Sequence, residues 1–302
     1  HTRSSAASDV YKRQIHICSS SCSCCYLLVF KMISYPNIDP IALSIPLPSF
    51  LQPYLGDALN IHWYGLAYVL GAYLIYLRMV ATKARFNIDV SKDEVSDVVF
   101  TYGLFFGAIV GGRLGHVLFY DLHLQFDDPL YFLKIWQGGM SFHGGLIGVM
   151  VSMWFYANKK GFTFFQVTDW IAPQVPIALF LGRIANFVNA ELYGRPTDVP
   201  WAMVFPTDPL GLTRHPSQIY EALLEGLFLF IFLNYIISKT NQVGRHSGYF
   251  LIGYGVARSI SELYRTPDAV WGSDFLLFSF LTQGQLLSVP MIILGIFILT
   301  KK

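Results

Sequence analysis

The chain has 302 residues, enough for two ordinary soluble domains, but 54% are hydrophobic, 16% aromatic and only 13% charged, where soluble domains average about 25% charged. A mean hydropathy of +0.46, carried by several long apolar runs, excludes an aqueous globule, a disordered chain and a collagen-like or disulfide-framework protein; the expected solvent is lipid. The net charge of +2 leaves no global electrostatic footprint for nucleic acid, so no such partner is expected.

The first segment reads differently from the rest. His1 to Gln14 is polar and without period, and a Ser/Cys tract follows with all four cysteines, Cys18, Cys22, Cys24 and Cys25. Their spacing lacks the second ligand pair of a zinc module, and Tyr26 to Phe30 is too short for the apolar core of a signal peptide. SSAASDVYKRQ resembles a sequencing adaptor translated in frame. Residues 1–31 are therefore expected to be a non-native or disordered leader, with one polytopic membrane domain over 32–302 starting near Met32. Beyond it no cysteine is available as nucleophile.

Apolar stretches near the ~20 residues needed to cross a bilayer predict an all-α membrane protein with seven spans: Ile61–Met79, Val95–Leu118, Phe142–Ala157, Phe164–Phe187, Ile219–Ile237, Tyr249–Tyr264 and Gln285–Leu299. The third, sixth and seventh are short, and Asp169, Pro173, Gln174 and Pro176 interrupt the fourth. Basic residues gather after odd-numbered spans: Arg78, Lys83, Arg85 and Lys92; Lys159 and Lys160; Lys239 and Arg245; Lys301 and Lys302. The opposite connections hold mainly Lys134, Arg195 and Arg214, which predicts an outer N-terminus and a cytoplasmic C-terminus. Gly103, Gly107, Gly111 and Gly115 recur every four residues on span two and predict close helix packing. The connection Leu122–Phe132 is expected to form a short arm on the outer face.

With that orientation, polar residues of six spans meet in one outer-half layer. It contains Tyr64; Arg113 and His116; His143 in GGMSFHGGLIG; Arg183, Asn186, Asn189 and Glu191 in GRIANFVNAELYG; Gln218, Glu221 and Glu225; and Tyr254, Arg258, Glu262 and Arg265. The plain structural alternative is a set of buried ion pairs, such as Arg258 with Glu221 or Glu225. One charge in lipid costs about 2.5–3.5 kcal/mol on insertion scales, so this many arginines and carboxylates exceeds what packing needs. The glycines around His143 are expected to let backbone approach a ligand. His116 and His215 read equally well as structural, and Asn189 and Tyr193 equally well as a helix cap and an interface anchor. Arginine suits bidentate grip on phosphate, which points to a phospholipid headgroup, and a neutral imidazole suits proton removal from an attacking group. With no HExxH, P-loop or GxSxG motif the nucleophile would come from a co-substrate, and transfer is expected rather than hydrolysis.

GRIANFVNAELYG, GGMSFHGGLIG, RHPSQIYEALLEG and YGVARSISELYRTPD closely resemble the bacterial phosphatidylglycerol:prolipoprotein diacylglyceryl transferase family, from about Ile61 to the C-terminal GQLLSVPMIILG. Ala185 stands where the family pattern usually has Gly. The resemblance implies an inner-membrane enzyme that moves the sn-1,2-diacylglyceryl group of phosphatidylglycerol to the lipobox cysteine of a preprolipoprotein and releases glycerol 1-phosphate. It implies His143 as base and Arg183 and Arg258 as phosphate ligands, with Tyr64, Asn186, Asn189, Glu191 and Tyr254 in support. Arg113, Glu262 and Arg265 join the substrate-binding set, and no metal or organic cofactor is implied. Two bilayer-borne substrates require a lateral gap between helices. A transporter would need polar residues continuing inward, where only Asp169 and Gln174 stand out, and a receptor would use the layer as a pocket without turnover.

Overall fold

The computed structural model describes residues 33–50, 52, 57–135, 138–240, 242–266 and 281–301; the leader reading of residues 1–31 falls outside them. An antiparallel hairpin, β1 (Ile41–Pro46) with β2 (Ala58–His62), opens this part, Ser44 facing Asn60 and Ile45 facing Leu59. β2 continues directly into α1 (Trp63–Thr82), so what β2 presents is fixed to the first rod. α2 is a single rod of Lys92–Ser96, Asp97–Val110 in wide π turns, and Gly111–Phe119. Its start is set by a capping box, in which the Glu94 N–H donates to Ser91 Oγ and the Glu94 carboxylate accepts from the Ser91 N–H.

A short α3 (Leu122–Asp127) lies within the expected arm. Then come α4 (Phe142–Lys160) and α5 (Phe164–Val188). α5 tightens at Ala172–Gln174, where Pro173 and Pro176 each remove a backbone donor. β3 (Met203–Val204) pairs with β4 (Thr213–Arg214) in the following loop. α6 (Ser217–Ile237), α7 (Arg245–Ser261) and α8 (Gln283–Thr300) complete the order.

Long helical rods thus stand where the sequence predicts spans. Four of them, Trp63–Phe86, Lys92–Leu118, Phe164–Val188 and Ser217–Ile237, are long and apolar enough to cross a bilayer. α4, α7 and α8, the three short spans of the sequence, have 19, 17 and 18 residues. Burial is inverted relative to a water-soluble protein: Arg113, Asp169, Gln174, Glu221 and Glu225 are buried, while Val69, Phe105, Ile147, Trp154, Phe228 and Phe297 are exposed. Apolar belts on rods this long require lipid as solvent, and the protein is a multi-pass membrane protein.

Two packing devices fix the frame. Gly107, Gly111 and Gly115 of α2 lie against Gly144 and Gly148 of α4, so closely that a Cβ on Gly115 would stand 2.4 Å from the Gly144 Cα and one on Gly148 2.4 Å from the Gly107 carbonyl. Gly103, by contrast, faces the Met153 side chain. This corrects one expectation: Gly144 serves helix contact, not backbone approach to a ligand. At the other end, Asp169 of α5 accepts from the Gly244 and Ser247 N–H groups at 2.5 and 2.7 Å. A carboxylate from one rod thereby satisfies orphan donors at the start of α7. Gln174 accepts from Arg78 Nε at 3.4 Å. Asp169 and Gln174, the two polar residues that the sequence sets apart from the layer, are thus engaged in holding rods together.

Candidate active site

The charged layer is built by α5, α6 and α7. Gly226 lets α6 press on the backbone of Phe180, where a Cβ would come within 2.6 Å of the Phe180 Cβ. That contact places Arg183, one turn further along α5, opposite Glu225 and, a turn away, Glu221. Arg183 Nη2 and Arg258 Nη1 each lie 2.9 Å from the same oxygen, Glu221 Oε2. Both also reach Glu225 at 3.4 Å. Arg258 Nη2 donates to Glu262 Oε1 at 2.5 Å, and Arg265 lies 3.6 Å from the same Glu262 oxygen and 3.9 Å from Glu221. A Cβ on Gly284 of α8 would stand 2.3 Å from Glu262 Oε1, so that glycine makes the room Glu262 occupies.

Three arginines and three glutamates therefore balance in one network. The Glu221 and Glu225 side chains are fully buried, whereas those of Arg183 and Arg258 keep 18% and 12% of their surface open. The carboxylates are closed while the arginine side chains keep part of their surface open, which leaves the cations the more approachable partners for an anion. Tyr254 of α7, stacked on Phe250 at 6.0 Å, lies within electrostatic reach of both arginines.

Beyond α5 the chain is tightly specified. Asn186 Nδ2 donates to Glu191 Oε1 at 2.7 Å, Asn189 Nδ2 to the same atom at 3.5 Å, and Gln218 Nε2 to the Glu191 carbonyl at 2.6 Å. Ala190 and Leu192 hold left-handed φ values of 54° and 56°, which non-glycine residues adopt at a cost when surroundings demand it. Gly194 is sandwiched, its would-be Cβ 2.5 Å from the Tyr264 carbonyl and 2.7 Å from the His215 Cβ. The Tyr35 hydroxyl lies 2.7 and 2.9 Å from the carbonyl oxygens of Phe187 and Val188, pinning the end of α5. In the same loop Arg214 Nε donates to Asp208 at 2.7 Å and its guanidinium covers the Tyr193 ring at 4.9 Å. Burial alone would raise the Asp208 carboxyl; Arg214 and the N–H groups of Leu210 and Leu212 outweigh it and hold the group below the usual carboxylate range. Burial also lowers the His215 imidazole, which hydrogen-bonds Tyr220 at 3.1 Å.

A cavity of about 660 Å³ opens between the β2–α1 junction and this loop, with Asn60, His62, Tyr64, Gly65, Asn189 and Glu191 on its walls. The Tyr64 hydroxyl lies 3.3 Å from that of Tyr68, which is within electrostatic reach of both Glu191 and Arg183. Tyr68 is thus within reach of the cavity wall, through Tyr64 and Glu191, and of the arginine layer, through Arg183.

Arg113 and His143 belong to the α2–α4 unit. Arg113 is buried and donates to the carbonyls of Gly138 at 2.5 Å, Tyr131 at 2.9 Å and Phe132 at 3.3 Å, with its guanidinium over the Tyr131 ring. It clamps the connection between α3 and α4. His116 in turn binds Asp121 at 3.0 Å, and Tyr131 donates to the same carboxylate. His143 is exposed in the first turn of α4, whose start is capped by Ser141 Oγ accepting from the Gly144 N–H at 3.2 Å.

Residues 54–301 match the sequence profile described as prolipoprotein diacylglyceryl transferase. The chain belongs to this family. It is 47% identical over 270 residues to the phosphatidylglycerol–prolipoprotein diacylglyceryl transferase of Pseudomonas savastanoi pv. phaseolicola, a match covering 89% of this chain and 94% of that protein. The protein of the same name from Ectopseudomonas mendocina is 48% identical over 88% of this chain and 94% of its own length. That from Vibrio parahaemolyticus is 47% identical, over 87% and 90%. The family match contains the charged layer, the cavity and His143, and leaves Tyr35 outside it.

Of the expected site residues, the structure joins Arg183, Arg258, Glu262 and Arg265 directly. It sets Tyr64, Asn186, Asn189 and Glu191 beside them and places Arg113 and His143 on the neighbouring unit. The pairing of Arg258 with Glu221 or Glu225, which the sequence offers as the structural alternative, is present with both carboxylates, and Arg183 joins it. Asn60, His62 and Tyr68 went unselected: the first two lie on a short strand with no periodic signal, and the third reads as one more aromatic on an apolar helix.

Proposed function

We propose that this chain, a diacylglyceryl transferase, works from the Arg183–Arg258 layer, moving the sn-1,2-diacylglyceryl group of phosphatidylglycerol to the lipobox cysteine of a preprolipoprotein. The observation that carries the assignment is the convergence of two guanidinium groups from different rods on one Glu221 oxygen, each on a side chain that keeps part of its surface open, in a family whose named donor is a phospholipid. The arginines take the lipid phosphate. His143 removes the thiol proton; sulfur bonds to the glyceryl carbon as the carbon–oxygen bond to phosphate breaks, the electron pair leaving with glycerol 1-phosphate. Charge growing on the leaving oxygens is met by groups already in place. In this reading all seven rods cross the bacterial inner membrane with the layer toward the outer leaflet and the C-terminus in the cytoplasm. Its support is the side on which Arg85, Lys159, Lys160, Lys239 and Arg245 accumulate.

The test is a mass spectrum of a lipobox peptide after incubation with the protein and phosphatidylglycerol, beside a matched Cys→Ser peptide. A diacylglyceryl adduct on the cysteine peptide alone is expected; no adduct from folded, lipid-bound protein overturns the reading. His143→Gln is expected to abolish turnover while leaving lipid binding intact, and equal loss of both removes the base role. Arg183→Lys is expected to fail despite its kept charge, because an ammonium lacks the guanidinium fork.

A further inference from the structure

The site must receive two unlike molecules, and the cavity beside β2 differs in chemistry from the arginine layer. Its lining carries the carboxylate of Glu191 and the amides of Asn60 and Asn189, with no Lys or Arg among the described lining residues. Asn189 Oδ1 is a buried acceptor without a hydrogen-bond partner, and Glu191 can only accept while ionised. Such a wall calls for donors and repels phosphate, whereas a polypeptide backbone offers an N–H at every non-proline residue. Among the described residues β2 pairs with β1 alone, and the second edge of such a strand is what extended peptides use for strand addition. The volume lies in the range of sites that enclose a few side chains.

We propose that this cavity is the polypeptide half of the site: it holds the extended backbone around the acceptor cysteine, while the arginine layer holds the phospholipid. Tyr64 and Tyr68 form the partition across which the thiol reaches the glyceryl carbon. The proposal rests on the transferase reading and adds which substrate goes where.

Gly65 supplies the test. It lines the cavity in the first turn of α1, and a Cβ built there meets nothing within 4 Å. Gly65→Leu therefore adds bulk at the cavity wall from a better helix former, its Cβ meeting no protein atom. In the full chain, binding of a non-reactive Cys→Ser lipobox peptide is measured without turnover, and KM for the cysteine peptide and for phosphatidylglycerol in the adduct assay. The expected result is a rise of about tenfold or more in peptide Kd and peptide KM, with the lipid KM changed less than about twofold; Gly65→Ala gives a smaller shift in the same direction. A rise in lipid KM alone assigns the cavity to the lipid headgroup and its glycerol hydroxyls, an equal rise in both makes it a shared space, and no change makes it a bystander. Each of these overturns the proposal. Failure of the transferase reading is separate, since it appears as no adduct from the wild-type chain.

Discussion

The α2–α4 seam and the α5–α6–α7 layer hold the same bundle by opposite means. In the seam, side chains are removed until Gly115 and Gly144 touch backbone to backbone. No side chain stands between these glycines, and the gain comes from dispersion and close packing. In the layer, six charged side chains are sunk among helices, a poor way to gain stability because desolvation offsets the attraction. The contrast separates what a bundle needs from what it tolerates. The seam would serve any helix pair; the layer suits the anion-binding role proposed for it. Polarity inside the membrane is not itself the sign of function, since Asp169 is as buried as Glu221 yet spends its carboxylate on the N–H groups of Gly244 and Ser247.

Substitutions can break this comparison or sharpen it. The largest effect is expected from Arg258→Ala, which leaves Glu221, Glu225 and Glu262 short of a counter-charge and costs about 3–5 kcal/mol. Thermal unfolding in detergent and adduct formation should both collapse, and a stable but inactive variant would show that the layer contributes nothing to the fold. Gly115→Ala comes next, forcing a methyl into the Gly144 backbone at a cost of about 1–3 kcal/mol or more. Here the melting temperature should fall while the molecules that remain folded keep their lipid affinity; loss of affinity per folded molecule would join the seam to the chemistry. The smallest is Ser141→Ala, which removes the N-cap of α4 for about 1 kcal/mol. Because that cap sets the turn bearing His143, a drop in turnover larger than the drop in stability would show that the seam's helix also aims the base.

Much of this was legible in the sequence, and the gaps have physical causes. A four-residue glycine spacing announces a stripe, and the stripe is there in Gly107, Gly111 and Gly115; spacing does not name a partner, so Gly144 was read as room for a ligand when it is the other half of the contact. The rods were visible because lipid imposes length and apolarity together. The meeting of Arg183 with Arg258 followed from depth in the membrane, but the sharing of one Glu221 oxygen depends on how far α6 closes on α5 at Gly226, which no periodicity encodes. The cavity stayed hidden because its walls come from β2 and from a loop with left-handed turns at Ala190 and Leu192, both set by tertiary demand.

Gly284 makes α8 a cover for the charged layer. Glu262 completes the charge balance around Arg258 and Arg265, and α8 fits over it through that missing methyl. α8 also closes on α7 where Gly248 meets Leu299 and Gly255 meets Ile292. The pairs of Glu262 with Arg258 and Arg265 span only three and four residues of chain, so the rod that carries Gly284 is a cover seated over charges already matched, and a bulkier residue at its seat would disturb the matching from outside.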